Sequence, residues 1–221
     1  MKRLCFLTLC LLLLLAGCSQ PKTEGAAAQQ EEPATLTAQA LSLFPPSYDL
    51  SFRLEAFQGE ERTSYSHITA IQTSDGFYYA SSTGERYLFL RMDSDAYAFY
   101  LWDEATGTMV ANQNLTFSRA VLEGFQDSIL HLGLLVHDVS NLEETGTANI
   151  AGRPCQVYEG SDTAGDQFHC RRTYYIDQET GLTLSHSIQY TDQSGRAFTY
   201  LLTCEHFSTQ QARLPNLSLV L

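Results

Sequence analysis

Residues 48–56 read Tyr48-Asp49-Leu50-Ser51-Phe52-Arg53-Leu54-Glu55-Ala56, a stretch in which apolar and polar side chains alternate. Successive side chains of a β-strand point to opposite faces of a sheet, so the alternation predicts a strand with one face in a core and the other in water. A half-buried strand of this kind is typical of antiparallel sheets. The stretch therefore predicts a mainly β domain.

Further strand-like segments follow at short intervals along the chain. They are residues 65–73, 77–80, 86–92, 96–102, 145–150, 153–159, 167–177, 182–190 and 196–207. Turn-forming residues separate many of them, as in Ser74-Asp75-Gly76, and such turns join adjacent antiparallel strands. We therefore expect a meander of hairpins, to which residues 210–221 either add an edge strand or trail.

Residues 118–136 interrupt the strand pattern with an apolar stripe at helical spacing. The stripe consists of Leu122, Phe125, Ile129, Leu132 and Val136. Recurrence at three and four residues predicts an amphipathic helix, with Ser118 as its N-cap and two glycines that weaken it. A lid over the sheet and a plain core helix are both open interpretations. A shorter helix is predicted at residues 34–44, ended by Pro45-Pro46.

The N-terminal segment has the layout of an export signal. Lys2 and Arg3 precede an apolar run over residues 4–15, which is shorter than the ~20 residues that a helix needs to cross a membrane. The run ends in Leu15-Ala16-Gly17-Cys18, which resembles the lipobox of bacterial lipoproteins. The resemblance implies that residues 1–17 are removed and that Cys18 carries a diacylglyceryl group. It also implies a lipid-anchored position on the extracytoplasmic side of the cell membrane.

The remaining chain is predicted to form a tether and one domain. Residues 18–34 contain no large apolar side chain, so we expect a flexible tether, followed by a domain over residues 35–221. The chain has 25 acidic and 13 basic residues, a formal net charge of −12. This balance argues against nucleic-acid binding, which needs clustered Lys and Arg. It also argues against docking of the folded domain on anionic lipid, so the predicted membrane contact is the lipid on Cys18.

Three cysteines lie in the predicted domain, at positions 155, 170 and 204. Cys155 and Cys170 are placed symmetrically about the polar loop at residues 161–165, so in a regular hairpin they would face each other and a disulfide is predicted. Two alternatives remain. Cys204 pairs with Cys155 or Cys170, or Cys155 and Cys170 are both buried as reduced thiols. Disulfides persist in exported proteins, so an odd number implies at least one free thiol.

No group of residues predicts catalysis or a metal site. The six histidines are scattered, and His169-Cys170 is the one ligand-like pair. Adjacent residues of a strand point to opposite faces, so these two side chains are poorly placed to share a metal ion or to form a nucleophile and base. We therefore expect no cofactor, no metal and no enzymatic activity.

Two motifs in the second half of the chain carry a family resemblance. Gly152-Arg153-Pro154-Cys155-Gln156-Val157-Tyr158 is followed by Tyr174-Tyr175-Ile176-Asp177-Gln178-Glu179-Thr180-Gly181-Leu182. Together they resemble the LolA/LolB-like superfamily of lipoprotein carriers, which includes the regulator RseB and the lipoproteins LppX and LprG. The resemblance implies a strongly curved antiparallel sheet, an unclosed barrel covered by one or two helices. It also implies a concavity that holds acyl chains or an apolar peptide, and no catalytic residues.

The first functional hypothesis is a membrane-anchored protein that binds an apolar ligand, such as a lipid or an acyl chain, in this concavity. The residues predicted to line it are Phe52, Leu54, Tyr79, Phe89, Phe99, Leu101, Phe125 and Ile129. The alternative is a regulatory or interaction domain that binds an envelope protein partner through the same sheet. An enzyme is a third hypothesis, which no constellation of residues supports.

Overall fold

A computed structural model describes residues 44–128, 135, 137–164, 168–210 and 212–220. The predicted signal segment, Cys18, the tether and all but the last residue of the helix predicted at residues 34–44 lie outside these ranges, as does Ile129. Among the residues described, no helix combines the length and the apolar character needed to cross a membrane.

The described part of the chain contains twelve β-strands and one α-helix. The strands are β1 Tyr48–Gln58, β2 Glu61–Thr73, β3 Gly76–Ser81, β4 Arg86–Arg91, β5 Ala96–Asp103, β6 Thr108–Ser118, β7 Glu143–Ile150, β8 Arg153–Ala164, β9 Phe168–Asp177, β10 Thr183–Asp192, β11 Ala197–Ser208 and β12 Leu219–Val220; the helix is α1 Arg119–Gln126. They form a single sheet in the order β12-β6-β5-β4-β3-β2-β1-β11-β10-β9-β8-β7. The two end strands do not pair, so the sheet is not closed into a barrel, and the predicted fold class is confirmed.

Strand β1 joins the two halves of the sheet. It pairs with β2 on one side and with β11 on the other over nearly its whole length. Leu50 and Phe52 are fully buried, whereas the intervening Ser51 is partly exposed. The alternation in residues 48–56 therefore places one face of the central strand in the main core, as predicted.

The sheet curls strongly at its β8–β11 end. The guanidinium carbon of Arg153, on β8, lies 5.0 Å from the ring centroid of Phe207, on β11. Two strands lie between β8 and β11, and neighbouring strands are ~4.8 Å apart, so a flat sheet would separate these positions by roughly 14 Å. The curvature brings both halves of the sheet around one core, which includes Phe52, Phe89 and Cys155.

Helix α1 begins as predicted and is shorter than predicted. The Ser118 side chain accepts a hydrogen bond from the Val121 backbone N–H at 3.4 Å, which confirms the N-cap. The α-helix ends at Gln126, with Asp127 as its C-cap. Leu135 and residues 137–139 are not helical, so the prediction of one continuous helix to residue 136 is wrong. The stripe residues Ile129, Leu132 and Val136 lie outside the described residues.

The outer face of strands β2–β6 has a smaller core of its own. It contains Ile71, Tyr78, Leu88, Tyr100 and Met109. The C-terminal segment covers this core with Ala212, Leu214 and Leu217, and then forms β12, which pairs parallel with β6. The edge-strand alternative for residues 210–221 is confirmed.

Candidate functional site

The candidate site is built on the inner face of strands β3–β5. Phe77, Phe89 and Phe99 are cross-strand neighbours in the ladder, and Tyr79 lies opposite Tyr87. Residues directly opposite each other in an antiparallel pair point to the same face of the sheet. Alternation within each strand and register between strands therefore bring these rings together.

The rings form a continuous set that we call the aromatic cluster. Its members are Phe77, Tyr79, Tyr87, Phe89, Phe99, Phe117 and Phe125. The Phe89 and Phe99 centroids are 4.7 Å apart, and the Tyr79 and Tyr87 rings stack at 5.7 Å. Such distances are typical of favourable aromatic pairs. The cluster is a continuous apolar platform on the sheet.

Helix α1 places one ring of the cluster over the others. Phe125 contacts Phe89 at 5.2 Å, Tyr87 at 5.3 Å and Phe77 at 6.5 Å between ring centroids. Leu122, three residues earlier and on the same side of the helix, is buried in the main core. The helix is therefore held to the sheet by one apolar side, and Phe125 lies where an apolar group from outside would contact the same rings.

The aromatic cluster is buried on one side and accessible on the other. Phe77, Tyr79 and Phe89 are buried, whereas the remaining four rings are only partly buried. Burial raises the pKa of Tyr79 to about 12, with smaller contributions from Glu85 and Tyr87. The Tyr79 hydroxyl therefore stays neutral at physiological pH, and the platform offers an uncharged surface to an apolar group.

The structure brings most of the predicted lining residues into one region. Phe52, Tyr79 and Phe89 belong to the main core, and Leu54, Phe99 and Phe125 pack against it. Leu101, by contrast, is 39% exposed and is not part of that core. The sequence reasoning missed Phe77, Tyr87 and Phe117. The two-residue period of β3 and β4 would have identified the first two, because they share a face with Tyr79 and Phe89.

The prediction that Cys155 and Cys170 lie opposite each other in a hairpin is wrong. Cys155 lies opposite Asp177, and Cys170 lies opposite Asp162. Position 177 is seven residues from Cys170 along β9, which at ~3.3 Å per residue separates the two cysteines by roughly 23 Å. A disulfide needs Cα atoms within about 7 Å. The prediction placed the centre of the hairpin several residues too early.

The three described cysteines are free and buried. Burial raises the pKa of Cys155 to about 11 and that of Cys204 to about 12. A buried thiol with a raised pKa is a poor nucleophile and a poor metal ligand, because the thiolate is the reactive form. Within the described ranges, no group of three or more His, Cys, Asp or Glu side chains is placed to hold a metal ion.

Comparisons with known proteins find solved structures similar to this chain at low sequence identity. No protein-family model matches the sequence, and no curated protein matches it. Among solved structures, MucB is 16% identical over 85% of this chain and 62% of its own, with a TM-score of 0.36. The MucA/MucB complex of Pseudomonas aeruginosa is 14% identical over 84% of this chain and 60% of the matched one, with a TM-score of 0.35.

A LolA superfamily protein from Nitrosomonas europaea is 11% identical over 83% of this chain and 94% of its own, with a TM-score of 0.30. The chain thus spans about three-fifths of the length of the MucB structures that it matches. The solved structures similar to this chain include MucB and a LolA-superfamily protein.

Proposed function

We propose that this protein is a membrane-anchored, non-catalytic lipoprotein that binds an apolar ligand, an acyl chain of a lipid, on the aromatic cluster. The observation that carries the proposal is the accessible side of the cluster, where Tyr87, Phe99, Phe117 and Phe125 are only partly buried. Four adjoining aromatic rings with incomplete burial leave apolar surface in contact with water. Covering that surface is favourable by about 25 cal/mol for each Å² removed from water.

The ligand is an acyl chain that lies along the rings beside helix α1. Rings in contact with one another fill the space between α1 and the sheet, so the ligand adds to the cluster at its accessible edge or takes the place of Phe125. Each CH₂ group that is buried contributes about 0.8 kcal/mol. The acyl groups proposed for Cys18 hold the domain at the membrane surface, where such chains are supplied.

The second candidate is a protein partner that places apolar side chains on the same four rings. The aromatic rings fill the space between α1 and the sheet. This favours a protein partner, because its side chains can pack on the surface of the rings without entering a deep cavity. Aromatic side chains are also enriched at protein interfaces. The two candidates use one surface and differ in the occupant, and one experiment separates them.

Photolabelling of the full chain in phospholipid vesicles tests the proposal. The vesicles contain a phospholipid with a diazirine group in its acyl chain, and labelled peptides are identified by mass spectrometry after irradiation. We expect labels within residues 87–125. Phe99→Glu should reduce that labelling about tenfold or more, because an unpaired charge beside the rings would have to be desolvated.

Met92→Glu is the matched control, since Met92 is 65% exposed and is not a member of the aromatic cluster. Circular dichroism melting verifies that both variants are folded. Equal labelling of the two variants, or labels restricted to the N-terminal segment, would contradict acyl-chain binding. Cross-linking of an envelope protein at residues 87–125 without lipid labelling would support the second candidate instead.

A further inference from the structure

A small set of polar side chains, distant in sequence from the aromatic cluster, fixes one loop to the sheet. It consists of His137 in the loop, Tyr174 on β9, and Thr183 and His186 on β10, and we call it the histidine cluster. His137 Nδ1 lies 2.9 Å from Thr183 Oγ1, at hydrogen-bond distance. The His137 ring is 4.4 Å from the Tyr174 ring and 5.2 Å from the His186 ring between centroids.

His186 is the buried member of the histidine cluster. It is 5% exposed, and its Nδ1 atom has no hydrogen-bond partner among the described residues. In the ladder it lies between Tyr174 on β9 and Leu202 on β11. A neutral imidazole is tolerated in such a place, whereas a protonated one would bury a charge without a counter-ion.

The histidine cluster lies where residues 137–142 are attached to the sheet. Val139 and Leu142 pack on the apolar group formed by Cys170, Tyr174 and Ile188. The Leu142 side chain also lies against Gly160 on β8, closely enough that a Cβ at position 160 would overlap it. Just before this segment, the Leu135 carbonyl accepts a hydrogen bond from the Thr183 backbone N–H at 2.8 Å.

We propose that the histidine cluster is an acid-sensitive latch, in which protonation of His186 releases residues 137–142 from the sheet. The released segment would leave His137 and His186 in contact with water, where an imidazolium is stable. Release would also uncover Tyr174 and Ile188, so an apolar surface would become accessible under acid conditions. This inference does not rest on the proposed acyl-chain binding, because it concerns a different cluster and a different segment.

The direction of the effect follows from the charges that face His186. Burial and the neighbouring His137 lower the pKa of His186 to about 3, against about 6.5 for a histidine in water. The other titratable groups around it, on the same face of the sheet or in the segment, are Asp138 in the segment, Cys170, Arg172 and Tyr174 on β9, Tyr190 on β10, Tyr158 on β8 and Tyr200 on β11. Arg172 is positive and its partner is Asp162, at 2.5 Å.

Asp138 accepts a hydrogen bond from the Ser140 backbone N–H and Asp162 is paired with Arg172, so neither carboxylate compensates a proton on His186. The attached state keeps His186 neutral, and the released state binds a proton below its ordinary pKa. Neutral His186 stabilises the attachment of residues 137–142 to the sheet fully above about pH 6.5, and this stabilisation is lost as the pH falls. Each further unit of acidification multiplies the ratio of released to attached segment about tenfold, down to about pH 3.

Hydrogen–deuterium exchange of the full chain tests the latch between pH 7 and pH 5. Asp138, whose pKa is held below its usual value by hydrogen bonds from Ser140, stays ionised in this range. After correction for intrinsic exchange rates, protection of residues 137–142 and of Thr183 should fall about tenfold per pH unit below 6.5. Protection in β1 and β2 should stay constant, because the sheet itself does not open.

His186→Gln should abolish the pH dependence, and His206→Gln should leave it unchanged. His206 has an exposed side chain on β11, near Asp49, and is the matched control. If His186→Gln does not fold, the histidine resonances of the wild type provide the second test, in which His186 should stay neutral at pH 5. Constant protection of residues 137–142, an equal loss in β1 and β2, or titration of His186 near pH 6.5 would overturn the proposal.

Discussion

At the scale of single residues, one ion pair connects the two sequence motifs that carry the family resemblance. Arg153 donates to both carboxylate oxygens of Asp177, at 2.8 Å each, and the Asp177 side chain is fully buried. Asp177 also accepts from the Thr180 backbone N–H at 2.9 Å and from its hydroxyl at 2.6 Å. The pair thus joins β8 to the turn after β9. This turn needs Gly181 at a φ of +75°, which glycine adopts without strain.

Removal of Arg153 should be strongly destabilising. Burial raises the pKa of the Asp177 carboxyl, but hydrogen bonds from Arg153 and Thr180 outweigh burial and hold that pKa below its usual value. Arg153→Met leaves a buried carboxylate without its counter-ion, and we expect a loss of about 3–5 kcal/mol in the free energy of unfolding, measured by urea denaturation.

Two further variants separate loss of the ion pair from loss of packing. Arg153→Met combined with Asp177→Asn removes both charges and should recover part of the stability. Arg171→Met removes an exposed arginine that lies 4.0 Å from Glu159, and it should change the stability by less than about 0.5 kcal/mol. Equal effects of Arg153→Met and Arg171→Met would contradict this role of the buried pair.

At the scale of elements, the glycines of α1 and β3 have opposite roles. Gly124 lies within the eight-residue helix, and a Cβ added there meets no atom within 4 Å. Gly76 lies at the start of β3, where a Cβ would overlap the backbone carbonyl oxygen of Phe89 on β4. A glycine is therefore required at position 76 and is not required at position 124.

The pair of substitutions Gly124→Ala and Gly76→Ala tests this distinction by thermal and urea unfolding. Gly124→Ala should stabilise the protein by about 0.5–1 kcal/mol, because alanine favours the helical conformation. Gly76→Ala should destabilise it by about 3 kcal/mol, because the β3–β4 ladder must shift to relieve the overlap. A neutral Gly76→Ala would show that β4 adjusts without loss of pairing.

At the scale of the whole molecule, the C-terminal segment converts an exposed face of the sheet into a core. Leu214 and Leu217 lie on the outer face of β2–β6, over Tyr78, Leu88 and Tyr100. The segment is anchored at its end by the Met109 N–H, which donates to the Ser218 carbonyl at 2.9 Å. Without this cover, strands β2–β6 would present a continuous apolar patch, which favours self-association.

Leu217→Ser should therefore lower the free energy of unfolding by about 1–2 kcal/mol and increase self-association, measured by size-exclusion chromatography. Leu219→Ser is the matched control, because Leu219 belongs to the same segment and is 43% exposed. It should change the stability by less than about 0.5 kcal/mol. If the two variants behave alike, Leu217 does not contribute to a core on the outer face.

The sequence predicts well those strands in which burial of one face makes apolar and polar residues alternate. Residues 48–56 alternate because one face of β1 lies in the main core, and this local cause is visible without a structure. Strand β6 was missed because Asn112-Gln113-Asn114 interrupts any such period. It is a strand because β5 and β12 pair with it on either side, and pairing partners are not encoded locally.

By itself, the sequence determined that the domain is an antiparallel sheet with one apolar face and a helix capped by Ser118. Those features depend on local periodicity, turn residues and one N-cap, which act over a few residues. The tertiary structure decided the register of β8 and β9, the end of α1 at Gln126 and the position of residues 212–220 on the outer face. It also brought His137 and His186 together. Each of these depends on contacts between segments distant in sequence, where packing of the whole sheet selects among arrangements that are locally equivalent.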